Sequence, residues 1–84
     1  MFTVYILFSA SSERFYVGQT VNIEDRLARH NDGRSIATKA GRPWTLVHTE
    51  SFATRSEAVR RERQIKAWKS VSAIRKLVGE HPDL

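Results

Sequence analysis

Five polar side chains along this sequence have types and spacings suited to one chemical site: Tyr5, Tyr16, Arg26, His30 and Glu62. The sequence contains no cysteine, so thiolate nucleophiles and thiolate metal sites are excluded. The set suits phosphodiester hydrolysis with one hard divalent ion, because Mg²⁺ often takes only one or two protein carboxylates and completes its shell with water and phosphate oxygens. Glu62 would then bind the ion, and Arg26 would neutralise charge on the phosphate.

A predicted β-hairpin positions the two tyrosines. Residues 2–8 and 14–19 are rich in β-branched and aromatic side chains, and the polar residues 9–12 between them are typical of a turn. With this turn Phe8 pairs with Glu13, and the antiparallel register brings Tyr5 directly opposite Tyr16, with Cβ atoms roughly 4.5–5.5 Å apart. A shift of one residue would send the phenols to opposite faces of the sheet.

A short helix positions the arginine and the histidine. Asn22 is a good N-cap, and the pattern predicts a helix from about residue 23 to residue 30 or 31. Arg26 and His30 are four residues apart on it, so both side chains can reach the same point. The alternative is structural: Arg26 extends along the edge of the core, and His30 is a hydrogen-bonded histidine at its boundary.

The segment from residue 31 to residue 44 is predicted to be a basic loop. It contains two glycines, a proline and the bases Arg34, Lys39 and Arg42, with Asp32 as its one acid. A loop of about a dozen residues is uncommon in a compact domain and is often a binding element. It is therefore either a contact for phosphate groups or a flexible connector.

A third strand is predicted over residues 45–52. Its alternation places Leu46 on the same side as His48, Glu50 and Phe52, and His48 is expected to be a cross-strand partner at the surface. A last amphipathic helix is predicted from about residue 71 to residue 78, with one apolar side covering the sheet. That side comprises Val71, Ile74, Leu77 and Val78.

The helix between these elements carries the glutamate. Thr54 and Glu57 form a capping box, and the helix should run to about Trp68. Glu62 falls inside the apolar sector of this helix, where an ionised carboxylate is costly to bury unless it is paired or bound to a metal. Its partner is Arg26, Lys66 one turn on, or a metal ion.

Composition limits the class of protein. The 84 residues are expected to form one domain with a thin core. Since no segment resembles a signal peptide or a membrane span, we expect a cytoplasmic, monomeric protein without membrane contact. The net charge is +5, and ten of the fourteen bases are arginine, which favours a nucleic-acid partner over a merely solvated basic surface.

The motif residues together resemble the GIY-YIG nuclease family, and most closely its small stand-alone bacterial branch. The resemblance rests on Val4-Tyr5, Tyr16-Val17-Gly18, Arg26, His30 and Glu62. It implies an α+β fold, a three-stranded antiparallel sheet flanked by helices, which agrees with the order ββαβα(α) derived above. The sequence departs from the family name pattern at Thr3, where the first glycine would stand, and has valine for isoleucine at Val4 and Val17.

The resemblance also implies residue roles. Tyr5 and Tyr16 match the motif tyrosines, Arg26 the catalytic arginine and Glu62 the metal-binding glutamate, while His30 stands where other branches have tyrosine or histidine. A motif tyrosine is implied to deprotonate the attacking water, which requires a depressed tyrosine pKa, whereas the ordinary histidine pKa already suits a proton relay. Both remain possible bases. Residues expected to bind substrate are Gly18, which lets the chain turn close to the site, Arg34, Lys39, Arg42 and Lys66.

The implied function is a Mg²⁺- or Mn²⁺-dependent endonuclease that acts on DNA rather than RNA, in repair, recombination or processing. One basic loop offers little base readout, so low sequence specificity is expected. Single-stranded or branched DNA would suit a shallow cleft with stacking on Trp44 or Trp68. The main alternative is a non-catalytic nucleic-acid-binding module in which Glu62 forms a structural ion pair; a basic domain for an acidic protein leaves the five polar groups unexplained.

Overall fold

The computed structural model describes residues 1–79 and forms an antiparallel sheet with helices on both faces. The sheet order is β2-β1-β3, so the first strand is central. This confirms the predicted α+β fold and its element order, with one added 3₁₀ turn at Lys39–Gly41. The elements are β1 (Phe2–Ser9), β2 (Arg14–Thr20), α1 (Ile23–Asn31), β3 (Trp44–Phe52), α2 (Arg55–Trp68) and α3 (Val71–Val78).

The hairpin differs from its predicted register by two residues. Tyr5 pairs with Gly18 and Leu7 pairs with Tyr16, so the tyrosines are diagonal neighbours and the predicted direct pairing is wrong. The turn comprises residues 10–13 instead of 9–12, because the Ser9 hydroxyl accepts hydrogen bonds from Ser12 and thereby closes a later turn. A shift by an even number keeps each side chain on its face, so both phenols remain on one side of the sheet.

Each face of the sheet has its own apolar core. One core is formed by Val4, Ile6 and Val17 against Ala58 and Ile65 of α2, with three residues of α3 packed beside it. The other contains Tyr5, Leu7 and Trp44, packed against α1 and Tyr16. The predicted apolar side of α3 is confirmed for Ile74, Leu77 and Val78, but Val71 is 51% exposed and does not cover the sheet.

A β-bulge in the third strand changes which side its residues face. Ile6 pairs with His48 and Leu7 with Leu46, so Val47 is the additional residue. Leu46 therefore packs in the core around Tyr5, and its predicted placement beside His48 is wrong. His48 also lacks its predicted cross-strand role, since its Nε2 lies 2.8 Å from Glu50 Oε2 on the same strand.

The helix ends agree with the predicted caps. The Asn22 side chain accepts a hydrogen bond from the Asp25 backbone N–H at the start of α1. Thr54 and Glu57 form the predicted reciprocal capping box at the start of α2. Within residues 1–79, no helix is long and apolar enough to cross a membrane.

Candidate functional site

The Tyr5 hydroxyl lies at one end of a buried hydrogen-bonded chain whose central member is His30. It is 3.1 Å from His30 Nε2, and His30 Nδ1 is 2.7 Å from the hydroxyl oxygen of Thr38. All three residues are buried: Tyr5 is 0%, His30 2% and Thr38 1% exposed. The i,i+4 spacing on α1 thus brings His30 to the first tyrosine, as predicted, but the two residues do not line an open cleft.

Gly18 provides the space that the Tyr5 hydroxyl occupies. A Cβ atom at Gly18 would lie 2.5 Å from the Tyr5 oxygen and 2.7 Å from Cζ, closer than non-bonded atoms approach. The residue lies inside β2, directly opposite Tyr5, and not in a turn. The predicted turning role is therefore wrong, and the missing side chain serves to admit a phenol.

Tyr16 is the more accessible of the two tyrosines. Its ring centroid is 4.8 Å from that of His30 and 6.3 Å from those of Tyr5 and Trp44, while the residue itself remains partly exposed. It borders two surface grooves, one beside Arg14 and the basic loop and another beside Lys66 and Lys69 at the outer edge of β2. A ligand in either groove would meet Tyr16 before Tyr5.

Arg26 brings positive charge to the same hydroxyl group. Its guanidinium lies close enough to Tyr5 to oppose the rise of the Tyr5 pKa. The Nε atom of Arg26 is buried and has no hydrogen-bond partner in the part of the chain that the structure describes. Since arginine carries five N–H donors and stays charged, this side chain holds a positive charge and a donor without a partner inside the site.

Glu62 lies on α2, which packs on the opposite face of the sheet from α1. Its carboxylate is close enough to raise the pKa of Tyr5 by its charge. The Glu62 side chain is 19% exposed, and Oε2 accepts a hydrogen bond of 2.6 Å from Lys66 Nζ. Of the three predicted partners for this carboxylate, the structure therefore contains Lys66, one helical turn away.

Burial makes Tyr5 a weak acid. Desolvation, with the nearby Tyr16 and Glu62 charges, raises the pKa of Tyr5 from 10.0 to about 12, against the opposing effect of Arg26. The depressed pKa that a tyrosine base requires is therefore absent, and Tyr5 is a neutral phenol near pH 7.

The environment of His30 has the opposite consequence for its protonation. Burial lowers the pKa of His30 below 6.5, and the positive charges of Arg26 and Arg29 lower it further. His30 is therefore neutral near pH 7 and has one ring nitrogen free to accept a proton. Of the two possible bases, His30 has the more suitable proton affinity, but it is buried and both of its ring nitrogens already hydrogen-bond, to Tyr5 and to Thr38.

Few side chains near the tyrosines could bind a hard divalent ion. Within residues 1–79 there is no cluster of three or more His, Asp or Glu side chains that would hold a metal. Glu62 is the carboxylate near the tyrosines, and a single carboxylate is enough for Mg²⁺ when water and phosphate oxygens fill its other positions. An ion at Glu62 would have to compete with the Lys66 ammonium group.

The three bases of the loop lie at the surface beside the site. Arg34 pairs with Asp32 at 3.0 Å, and Arg42 Nε donates to the backbone oxygen of Lys39 at 2.9 Å. These contacts are exposed, so a phosphate group can replace them at little cost. The structure thus leaves the predicted phosphate-contact role open for Arg34, Lys39 and Arg42.

The two tryptophans are not free stacking platforms. Trp44 is 7% exposed and donates from Nε1 to the Thr38 backbone oxygen at 2.8 Å. Trp68 packs against the core on the other face, where Arg61 lies 5.6 Å from its ring centroid. The predicted stacking of bases on Trp44 is therefore wrong, since its ring is part of the core.

Sequence reasoning missed Thr38. This residue links the basic loop to His30 through its side chain and to Trp44 through its backbone. Asn31 fixes the other end of the loop: its side-chain oxygen accepts from the Trp44 N–H at 2.6 Å, and its amide donates to the Trp44 oxygen. A single threonine in an aperiodic loop has no motif signal, and only tertiary packing brings it to the histidine.

Comparisons with known proteins agree with this arrangement. A family model described as the GIY-YIG catalytic domain matches residues 1–75. A UPF0213 protein of Staphylococcus haemolyticus is 44% identical over 66 residues, which cover 77% of this chain and 79% of that protein. A UPF0213 protein of Syntrophus aciditrophicus is 42% identical over 82 residues, which cover 95% and 92%.

Two further relatives extend the comparison to archaea and to a solved structure. A UPF0213 protein of Halobacterium salinarum is 45% identical over 67 residues, covering 79% of this chain and 86% of that protein, so the branch includes archaea as well as bacteria. The solution NMR structure of a UPF0213 protein of Bacillus halodurans matches 93% of this chain and 83% of its own, with a TM-score of 0.57 and 32% identity. The chain belongs to the GIY-YIG family, a family of nucleases.

Proposed function

We propose that this protein is a metal-dependent endonuclease that hydrolyses DNA phosphodiester bonds with low sequence specificity, in repair, recombination or processing. The observation that carries the proposal is the buried Nε of Arg26, which has no hydrogen-bond partner within residues 1–79 and belongs to the guanidinium beside the Tyr5 hydroxyl. A buried donor without a partner costs free energy, and a phosphate has the charge and the oxygen geometry that arginine matches.

The proton path follows from the protonation states. The attacking water gives a proton to the Tyr5 oxygen while the Tyr5 phenol proton passes to His30 Nε2, 3.1 Å away. The new oxygen–phosphorus bond forms as the bond to the leaving oxygen breaks, and that oxygen takes a proton from solvent. Because Tyr5 is enclosed, Arg26 must turn from its hydroxyl toward the bound phosphate before the water can reach it.

Glu62 would hold the divalent ion, and the ion would supply Lewis-acid stabilisation of charge on the phosphate. Lys66 releases its hydrogen bond to Glu62 Oε2 in that state and becomes available to a phosphate oxygen. Arg26, on the helix that packs on the opposite face of the sheet from Lys66, would bring a second positive charge to the phosphate. The residues supply charge neutralisation and a proton acceptor, which are the two requirements of this hydrolysis.

The surface around Tyr16 supports a preference for single-stranded or branched DNA. Tyr16 borders the groove beside Arg14 and the groove beside Lys66 and Lys69, so basic side chains lie on both sides of a partly exposed ring. Phosphates can follow the bases while an unpaired base stacks on the ring. Phosphate contacts carry no sequence information, which accounts for the low specificity.

The test is cleavage of end-labelled single-stranded, duplex and flap DNA with Mg²⁺, Mn²⁺ or a chelator. We expect products with a divalent ion, none with chelator, and most product from single-stranded or flap substrates. Glu62→Gln and Arg26→Ala should abolish cleavage while DNA binding is largely retained, and these variants also exclude a contaminating nuclease. Equal turnover by both variants would overturn the proposal, and preference for duplex would overturn the substrate ranking.

The Glu62–Lys66 ion pair favours a second candidate, a nucleic-acid-binding module without catalysis. In that case Lys66 satisfies the carboxylate permanently, and the basic side chains only hold phosphates. The two functions differ in their response to metal. DNA binding that survives chelator, with no product under any divalent ion, would support the module.

A further inference from the structure

Thr38 is positioned to control which nitrogen of His30 carries the proton. Its hydroxyl oxygen lies 2.7 Å from Nδ1, and the other ring nitrogen, Nε2, lies 3.1 Å from the Tyr5 oxygen. A neutral histidine donates from one nitrogen and accepts at the other, so these two contacts must have opposite directions. The partner of one nitrogen therefore fixes the role of the other.

The acidities of the partners decide the direction. A phenol is a stronger proton donor than an alcohol, because tyrosine titrates near 10 whereas a threonine hydroxyl does not titrate in the ordinary range. The Tyr5 O–H therefore donates to Nε2. His30 Nδ1–H then donates to the more basic alcohol oxygen of Thr38. Arg26, the nearby positive charge, has only N–H donors and no acceptor, so it does not compete with His30 for the phenol proton.

The position of Thr38 is fixed by groups outside the His30 helix. Its backbone oxygen accepts from Trp44 Nε1 at 2.8 Å and from the Gly41 N–H at 3.1 Å, and its N–H donates to the Ser35 oxygen at 3.2 Å. These bonds hold Thr38, a residue of the basic loop, against the core, where it is only 1% exposed. The loop that carries Arg34, Lys39 and Arg42 is thereby connected to the histidine.

We propose that Thr38 is a positioning residue: by accepting Nδ1–H it holds His30 in the tautomer whose Nε2 receives the Tyr5 proton. The tautomer follows from the two hydrogen-bond distances together with the acidities of the two hydroxyl groups, whereas its value for catalysis rests on the nuclease function proposed above. Loss of the Thr38 hydroxyl should release the ring to the other tautomer, in which Nε2–H points at Tyr5 and cannot accept a proton.

The test measures the tautomer directly by long-range ¹H–¹⁵N correlation NMR near pH 7.5, with a His30→Gln variant to assign the signals. We expect wild type to be the Nδ1–H form, Thr38→Ser to keep that form, and Thr38→Val to lose its predominance. Wild type in the Nε2–H form would overturn the proposal even if Thr38→Val fails to fold. An unchanged tautomer in a folded Thr38→Val protein would overturn it too.

Kinetics provide the second measurement. Thr38→Val should lower kcat at nearly constant KM for DNA, and Thr38→Ser should recover most of the loss. The groups that face His30 are Arg26 and Arg29 from α1, Tyr5 from β1 and Tyr16 from β2, and none is changed in these variants. Because the NMR signal needs no substrate, an inactive protein with the Nδ1–H tautomer would refute the nuclease and leave the tautomer intact.

Discussion

The Tyr5 hydroxyl and His30 Nε2 lie 3.1 Å apart although 25 positions separate them in the sequence. The contact joins the central strand to the helix that packs on one face of the sheet. It pairs a phenol whose pKa is raised to about 12 with an imidazole whose pKa is lowered, mainly by burial in both cases. Both side chains are therefore neutral near pH 7: the phenol carries its proton, and one ring nitrogen of the histidine is unprotonated.

Stability should fall as the pH drops through the ordinary range of histidine. The folded protein resists protonation of His30 because of burial and the Arg26 and Arg29 charges, whereas the unfolded chain binds the proton near pH 6.5. The stabilisation that neutral His30 contributes is therefore fully present above about pH 6.5. It decreases as the pH falls below 6.5, and the decrease ends below the lowered pKa of His30 in the folded protein. Urea unfolding from pH 8 to pH 5 measures this slope.

A variant isolates the contribution of His30 to that slope. His30→Gln keeps a polar side chain in the buried position but cannot titrate, so its stability should depend less on pH between 5 and 7. His48→Gln is the matched control, because this residue lies on the other face with Glu50. A slope that disappears in His48→Gln and persists in His30→Gln would contradict the assignment.

Tyrosine absorbance should reveal the high pKa of Tyr5. The chain has only two tyrosines, so a Tyr16→Phe variant leaves Tyr5 as the sole titrating phenol. Its ionisation should occur well above pH 10, near the value of about 12 that burial produces in the wild type, since removal of Tyr16 eliminates only one of the contributions. Above pH 10 the unfolded chain ionises first, so stability should also fall with rising pH. Titration near 10 in a folded protein would show that burial does not raise the pKa of Tyr5, and only titration well below 10 would restore tyrosine as a base.

The fold was predictable because its signals are local. The caps at Asn22 and Thr54 and the apolar periodicity between them depend on neighbouring residues alone, and the helices begin where these residues predict. The hairpin register depended on which serine begins the turn, and the Ser9 hydroxyl bonds that decide it have no sequence pattern. The bulge at Val47 depends on pairing with β1 and was likewise not predictable.

The site was predictable for residues that conflict with their surroundings and not for residues that only support them. Glu62 is a charged residue in the apolar sector of its helix, and Arg26 and His30 are polar residues that share one helix face. These patterns identify all three as candidate site residues from the sequence alone. Thr38 conflicts with nothing in its loop. Its burial follows from the packing of Trp44 and from the loop path that the Asn31 side chain fixes, and both are tertiary effects.

Gly18→Ala should destabilise the protein and displace the Tyr5 hydroxyl. The added Cβ would lie 2.5 Å from the Tyr5 oxygen, and the Tyr5 side chain is fully buried. Overpacking of this kind costs about 1–3 kcal/mol, which thermal or urea unfolding would measure. Combination with Tyr5→Phe removes the shortest clash, so the double variant should lose less stability than the sum of the single changes. Strict additivity would show that the contact is not the cause.

Lys66→Gln should tighten divalent-ion binding, since it removes the ammonium group that bonds to Glu62 Oε2 at 2.6 Å. Calorimetric titration with Mn²⁺ measures the affinity, and Glu62→Gln should abolish it, since the proposed ligand is the Glu62 carboxylate. Lys69→Gln is the control, since it removes a positive charge from the same groove. Equal tightening by both lysine variants would indicate a general charge effect and not competition at Glu62.

Charge removal in the basic loop should weaken DNA binding without changing the site. Arg34→Gln, Lys39→Gln and Arg42→Gln each remove a positive charge from an exposed residue, and the contacts of Arg34 and Arg42 are themselves exposed and weak. If each base meets one phosphate of a single strand, each variant should reduce the slope of log affinity against log salt concentration by about 0.7. Fluorescence anisotropy with labelled single-stranded DNA at several salt concentrations measures both affinity and slope.

Arg60→Gln supplies the matched control for the loop variants. Arg60 is exposed on α2, about 200° around the helix from Glu62, and it borders a different groove from that of Lys66 and Tyr16; its loss lowers the net charge by the same amount. A substrate strand held between the loop and Tyr16 should not contact it, so affinity and salt slope should stay near those of wild type. Equal weakening by Arg60→Gln and the loop variants would mean that DNA responds to net charge alone, and the loop would then be only a connector between α1 and β3.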